Sequence, residues 1–401
     1  MEGQVILPLQ QKAEAMMKAT AVFFTALMSM APIMAQPSTW YVEQDGSGDF
    51  TEIQRALDAA AAGDTIMIGP GRFDTFHPFT APAWTEEVIV GVTKDDLTFI
   101  GSGKDVTIIG TPQPYGDYGE NPKSFCSIGS FDGMIQDLTI ENVEEGIYWW
   151  EGNLVVKNCV IRGNSNAYIG IGSWFDSLAV FECDFELNGG ALGITTHPPS
   201  GNISVRNCSF SGYGTGIGAN GTSGLNVENC LFEDMGVGVQ YDNGTTGTLS
   251  DCQFFDMSVI GVSLTYNSVV EIQAVHFSGS LLRGMRIGSG SILTGSRVVI
   301  EQISETSISL GSQVYVNLTE SHIFPSALGR AVWVAGFPYE HINQDFQGNY
   351  WGTTDPESIA AMIWDSNDDP SLHTTVLFEP FADGQVSTEE KSFGSIKAMF
   401  R

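Results

Sequence analysis

Cys183-Asp184-Phe185, Cys208-Ser209-Phe210, Cys230-Leu231-Phe232 and Cys252-Gln253-Phe254 set the same triplet down four times, and Gly193-Ile194, Gly216-Ile217, Gly238-Val239 and Gly261-Val262 follow them in turn. Both columns extend outward from this stretch. The Gly-Ile column starts at Gly146-Ile147 and Gly170-Ile171 and runs on to Gly284-Met285, in steps of 24, 23, 23, 22, 23 and 23 residues. Ser307-Ile308 and Ala331-Val332 continue it with the glycine replaced. The Cys column adds Cys159 with Ile161, is preceded by Leu138 and Ile140, and is extended by Val275 and Phe277.

Residues two apart on a strand share a face, so each Cys points the same way as its Phe. A step of about 23 residues stacks like upon like on strands roughly 4.8 Å apart. One turn of such a chain cannot bury its own apolar face, whereas stacked turns bury a continuous core. The Leu-rich consensus and helical segment of leucine-rich repeats are missing, and the Gly, Asn and Ser between the columns suit tight corners. The pattern therefore predicts an all-β chain, a right-handed parallel β-helix wound as a single-stranded solenoid over residues 36–345. Five of the six cysteines fall in one inward column, where they act as small hydrophobes. Buried thiols are expected there in preference to disulfides, whose torsion near 90° parallel in-register side chains seldom meet.

The ends differ from the middle. Met16-Met17-Lys18 leads into an apolar run over 19–34 and a small residue at Ala35, which reads as a signal peptide over 1–35. No later run is long and apolar enough to span a membrane, so the expected location is secreted, periplasmic or cell-surface. Thr51–Ala62 carries an apolar stripe of Ile53, Ala56, Leu57 and Ala60 before Gly63, and predicts an N-terminal capping helix. Residues 346–383 are read as a closing segment. Residues 384–401 form a polar tail ending in Phe393–Arg401, read as either a sorting or cell-surface attachment motif or an element packed on the solenoid.

With 17 Lys+Arg against 47 Asp+Glu the formal charge is −30, and no basic cluster reverses it locally, which argues against a nucleic-acid partner. The segment Asp45-Gly46-Ser47-Gly48-Asp49-Phe50-Thr51-Glu52-Ile53-Gln54-Arg55-Ala56-Leu57 resembles the N-terminal cap of pectin methylesterases and other pectin-lyase-like proteins. Leu97-Thr98-Phe99-Ile100-Gly101 looks like the early strand that follows in that superfamily. Gly348-Asn349-Tyr350-Trp351-Gly352, with Asp365, Asp368, Asp369 and Pro380-Phe381, is similar to a closing segment of bacterial β-helix proteins. The resemblance implies the fold over roughly 38–381. It carries no catalytic residue across. The pectin methylesterase Gln-Asp-Thr-Leu and Gly-Arg-Pro-Trp motifs are absent, as are those of pectate lyases (Trp-Ile-Asp-His) and polygalacturonases (Gly-His-Gly), and fold alone does not give activity.

Register nevertheless points to a face. Three residues past the apolar member of each Gly-Ile pair stand Trp150, Trp174, His197, Asn220 and Asp242, at an odd offset that turns them outward. Tyr148, Thr195, Gln240, Ser263 and Arg286 stand one residue past it, on the same side. Flat indole faces suit sugar rings, and Asn220 and Asp242 can fix hydroxyls, so these five are the candidate ligand-binding residues for a polysaccharide. The opposing expectation packs the Trp residues beneath the loop 111–123. Glu151, beside Trp150, is a weak acid candidate. Asp365, Asp368 and Asp369 cluster oxygen ligands of the kind Ca²⁺ prefers, without an EF-hand glycine or distal glutamate. The functional expectation is an exported protein that binds extracellular or cell-surface carbohydrate. The alternatives are a structural or surface-display rod, a lyase or hydrolase with an atypical site, and a periplasmic accessory protein.

Overall fold

The computed structural model describes residues 36–384, except 82–83, 114–121, 164–168, 188, 190, 199, 281 and 337–340. The leader and tail readings, at 1–35 and 385–401, lie outside the described residues. The unit that begins at Ser38 is a coil of three sheets. The first sheet runs from Thr39–Val42 through Thr65–Ile68 and Leu97–Gly101 to Thr374–Leu377. The second, carrying the Cys-x-Phe triplets, runs from Gly71–Phe73 to His322–Ile323, and the third, carrying the Gly-Ile pairs, from His77–Thr80 to Ile363–Trp364. Pairing among the described strands is parallel apart from His77–Thr80 against Thr85–Val92.

The repeat read from the sequence is the register of the structure. Ile147 pairs with Ile171, then Ile194, Ile217, Val239, Val262, Met285, Ile308 and Val332. Phe185, Phe210, Phe232, Phe254 and Phe277 likewise occupy successive rungs, and all five are buried. Their rings stack at centroid distances of 4.5, 4.8, 4.7 and 4.8 Å and lie within 12° of parallel. Strand spacing thus holds the rings at stacking distance, each pair adding about 0.5–1.5 kcal/mol beyond its buried area.

The two columns are one packing device. A Cβ on Gly216, Gly238 or Gly261 would stand 2.8, 2.4 or 2.5 Å from the ring of Phe232, Phe254 or Phe277. Glycine recurs beside the Phe stack because the ring occupies the volume a side chain would need. At the corner between the first and second sheets, Asn158, Glu182, Asn207, Asn229 and Asp251 each take φ between 48° and 56°. Asn and Asp tolerate this left-handed turn through local hydrogen bonding.

The next residue at each corner is a cysteine of the column. All six cysteines are buried free thiols. The sulfurs of Cys183, Cys208 and Cys252 lie 3.2, 3.3 and 3.1 Å from the carbonyls of Phe181, Arg206 and Ser250. Burial pushes the Cys159, Cys208 and Cys252 thiols well above the ordinary thiol value and Cys126 up to about 12, so all four stay protonated and unreactive.

The ends depart from expectation. The N-terminal helix spans only Ile53–Ala59, with Ile53, Ala56 and Leu57 buried and packed against the strands at 39–42, 65–68 and 85–92. It stops because Ala60 turns extended, while Lys94 Nζ takes the carbonyls of Leu57, Asp58 and Ala60 at 2.7, 2.7 and 2.5 Å. A cation there satisfies terminal carbonyls and opposes the negative end of the helix.

At the other end, the closing segment pairs with the coil. Thr374–Leu377 pairs with Ile342–Asp345, and Ile363–Trp364 with Val332–Val334, so the closing segment supplies further strands to two sheets. Side-chain amides complete its seam with strand Tyr315–Thr319. Gln344 accepts from Val316 N at 2.7 Å and donates to the Val314 carbonyl at 2.9 Å. Buried Asn349 accepts from Ser321 N at 2.8 Å and donates to the Leu318 carbonyl at 2.7 Å.

Candidate functional site

The third sheet presents two outward rows. Trp150 pairs in register with Trp174, and Asn220 with Asp242; His197 stands between Trp174 and Asn220, following the Thr196–Ala219 rung. The five residues singled out by offset therefore lie on consecutive rungs. Alternation does the placing: Trp149, one residue before Trp150, is fully buried and donates Nε1–H to the Phe131 carbonyl at 2.9 Å. Trp150 and Trp174 are half-buried and His197 is exposed.

The rings form a continuous outer surface. Centroids are 6.3 Å apart for Trp84–Tyr148, 6.4 Å for Tyr148–Trp150, 4.7 Å for Trp150–Trp174 and 5.2 Å for Trp174–His197. Planes tilt by 44° and 34° in the last two pairs, so the surface is stepped. Trp174 Nε1–H donates to the Pro198 carbonyl at 3.2 Å, which fixes one indole edge. Residues 114–121 of the loop once expected to cover the Trp pair lie outside the described residues.

Polar groups continue the row. The Asn220 Oδ1 accepts from Asn243 Nδ2 at 2.8 Å, and the Asp242 carboxylate accepts from Gln240 Nε2 and Thr265 Oγ1. Both donors to Asp242 are neutral groups, an amide and a hydroxyl. At the other rim, Lys123 is buried between Glu86 and Glu145, at 3.4 and 3.1 Å, with Nζ 5.2 Å from the centre of the Tyr148 ring. Burial raises the Glu145 carboxyl above its ordinary value, opposed by the nearby ammonium.

The chemistry this arrangement supports is stacking and hydrogen bonding. His197 and Asp242 are two rungs apart, roughly 10 Å, too far for direct proton exchange. Glu151 is exposed at the corner after Trp150, with φ 59°. The one histidine–carboxylate pair among the described residues is His276–Glu301, at 3.0 Å, and it belongs to the second sheet, away from the aromatic rows.

The aspartates proposed for calcium do not assemble into a ligand set. Asp365 is buried and its Oδ2 accepts from Val376 N at 2.8 Å, pinning the last strand. Asp368 accepts from Asp365 N at 3.2 Å, and Asp369 caps the short 370–372 turn through Ser371 N at 3.0 Å. Each carboxylate is used by local backbone, and among the described residues no group of three or more His, Cys, Asp or Glu could hold a metal ion.

Sequence reasoning missed one feature of this face. The row one residue past the apolar members was followed only as far as Arg286, but it goes on through Ser309 to Trp333 and Trp364. The same offset taken past Val332 reaches Trp333, so the signal was present in the sequence.

Residues 145–323 match the family model for the right handed beta helix region. The match agrees with the parallel coil of the structure, and the fold is that of a right-handed β-helix. No curated protein sequence matches this β-helix chain. Among solved structures, the catalytic unit of an α-1,3-glucanase from Streptomyces thermodiastaticus is 12% identical, with 84% of this chain and 66% of that one covered and a TM-score of 0.47. The chain thus spans just under two thirds of that unit. The A-module of a mannuronan C-5 epimerase from Azotobacter vinelandii is 15% identical, covering 83% and 94%, at a TM-score of 0.34. A pectin methylesterase in complex with a hexasaccharide is 12% identical, covering 90% and 97%, at 0.30. These likenesses are of fold alone. Among the described residues of this β-helix protein, no helix is long and apolar enough to cross a membrane.

Proposed function

We propose that this β-helix protein is exported and binds carbohydrate through the outer face of its third sheet, with Trp150, Trp174, His197, Asn220 and Asp242 as the contact row. The observation that carries the reading is the outward ring series of Tyr148 and Trp150 on one strand with Trp174 and His197 on the next two rungs, half-buried at the first three and exposed at the last. Rigid, flat, partly exposed rings beside oriented amide and carboxylate groups are what a glycan surface needs: apolar ring faces for stacking and directed partners for hydroxyls. Export is supported by the leader-like segment over residues 16–36. Binding without turnover is favoured because Asp242 is the single carboxylate of the contact row, while hydrolysis of a glycosidic bond calls for two carboxyls at a set separation.

The test is a glycan array spanning neutral, uronate and amino-sugar chains, followed by calorimetry on each chain retained. Replacing Trp150 and Trp174 by Ala should weaken binding by about 1–3 kcal/mol, with melting little changed. Unchanged binding with a large fall in melting temperature would show that the pair serves packing, and a display rod would then be the better reading. Reducing ends released from a retained chain would instead establish an enzyme.

A further inference from the structure

The row that begins at Tyr148 ends on a second aromatic platform. Trp333 and Trp364 pair in register, with centroids 5.1 Å apart and planes 12° from parallel. Trp364 is 37% exposed. The Arg330 guanidinium lies over the Trp333 ring at 4.2 Å. A guanidinium held face-down on an indole keeps its N–H groups at its edge, where they can donate to hydroxyl or carboxylate oxygens. Among the described residues no ion pair involves Arg330, nor exposed Arg286 further back along the row. In a chain with 47 acidic residues and 17 basic ones, two such cations on one face leave donors available to a ligand.

The two platforms share one row. Eight register steps lead from Tyr148 to Trp333, about 38 Å at strand spacing. Between them the row carries Thr195, Gln240, Ser263, Arg286 and Ser309, side chains that hydrogen-bond and do not stack. The face is thus aromatic at both ends and polar between.

We infer that Trp333, Trp364 and Arg330 form a second glycan subsite, and that the ligand is a long unbranched polysaccharide laid along the solenoid axis and held at both ends of this row. The inference rests on the glycan-binding reading of the first platform and adds the direction and minimum length of the ligand. Two sites on a rigid frame convert the second contact into an intramolecular one, so a chain reaching both gains affinity that no short oligomer has.

The experiment measures affinity against chain length by calorimetry, using size-fractionated linear neutral glucans and size-fractionated polyuronates from disaccharides upward. In the series that binds, affinity should rise about 100-fold or more once the chain can reach both platforms. Trp364→Ala should abolish that step. Arg330→Gln, which keeps the fold independent of an indole replacement, should reduce the step. Trp150→Ala with Trp174→Ala should instead remove short-oligomer binding. A smooth rise with length that Trp364→Ala does not alter would overturn the second subsite while leaving the first intact. Failure of both series to bind at any length would overturn both readings.

Discussion

The molecule contains two aromatic ladders, and they behave differently. Inside, Phe185 to Phe277 stack within 12° of parallel, and Gly193, Gly216, Gly238 and Gly261 leave the room that the rings of Phe210, Phe232, Phe254 and Phe277 fill. Outside, Trp150, Trp174 and His197 step up the third sheet at similar spacing but tilt by 44° and 34°. Strand spacing sets the repeat in both, whereas only the interior fixes the ring planes. The adjacent residues Trp149 and Trp150 show the contrast at its sharpest, because a single residue of strand alternation separates a core anchor from a contact surface.

That contrast breaks most readily at Trp149. It is fully buried, with its one polar atom satisfied by the Phe131 carbonyl. Trp149→Ala should lower stability by about 3–5 kcal/mol, read as a fall in denaturation midpoint, and leave glycan affinity per folded molecule unaltered. Trp150→Ala should show the reverse. Equal stability losses at the two positions would mean that the outer ladder is core.

The glycine column sharpens the comparison on the interior side. A Cβ at position 238 would lie 2.4 Å from the Phe254 ring and 2.6 Å from the Gly261 carbonyl, so both ring and backbone must yield. Gly238→Ala should therefore cost about 1–3 kcal/mol in chemical denaturation. At Gly218, on the outer face, an added Cβ meets nothing within 4 Å, and Gly218→Ala should be close to neutral. A neutral Gly238→Ala would remove the account of why glycine recurs beside the Phe stack.

The middle of this fold is legible in the sequence because stacking forces chemically like residues into like rungs. Cys183 to Cys252 and Gly193 to Gly261 are spaced by the coil itself, so counting residues recovers strand register. The ends are legible only in part. Among the described residues the antiparallel strand His77–Thr80 has no repeat, and Gly91 makes room for its Phe79 ring, whose nearest atom would be 2.4 Å from an added Cβ. Gln344 and Asn349 close the last seam with side chains in place of backbone, a substitution that periodicity does not register. The first platform could be found by counting from the Gly-Ile column. The second lies where glycine has already left that column, at Ala331, and the aspartates at 365–369 resembled a metal site until the backbone they cap was in view.

The smallest expected effect concerns a polar atom that the interior of the third sheet carries and does not use. Tyr241 follows Ala219 and precedes Leu264 on inward rungs of the third sheet. It is fully buried, and its hydroxyl has no hydrogen-bond partner among the described residues. Burial beside the thiol column pushes its ionisation far above the ordinary phenol value, so the group stays neutral and the cost is that of a desolvated O–H alone. Trp149, on the same inward side, avoids that cost through the Phe131 carbonyl, but no equivalent acceptor faces Tyr241. Tyr241→Phe keeps the ring and its packing and removes only the hydroxyl. It should leave stability unchanged or raise it by about 1 kcal/mol, with glycan affinity untouched, since Asp242 beside it points the other way. A loss of stability in that variant would mean that the hydroxyl is held by a partner such as a buried water, and that the interior of the third sheet is less dry than the Phe ladder of the second.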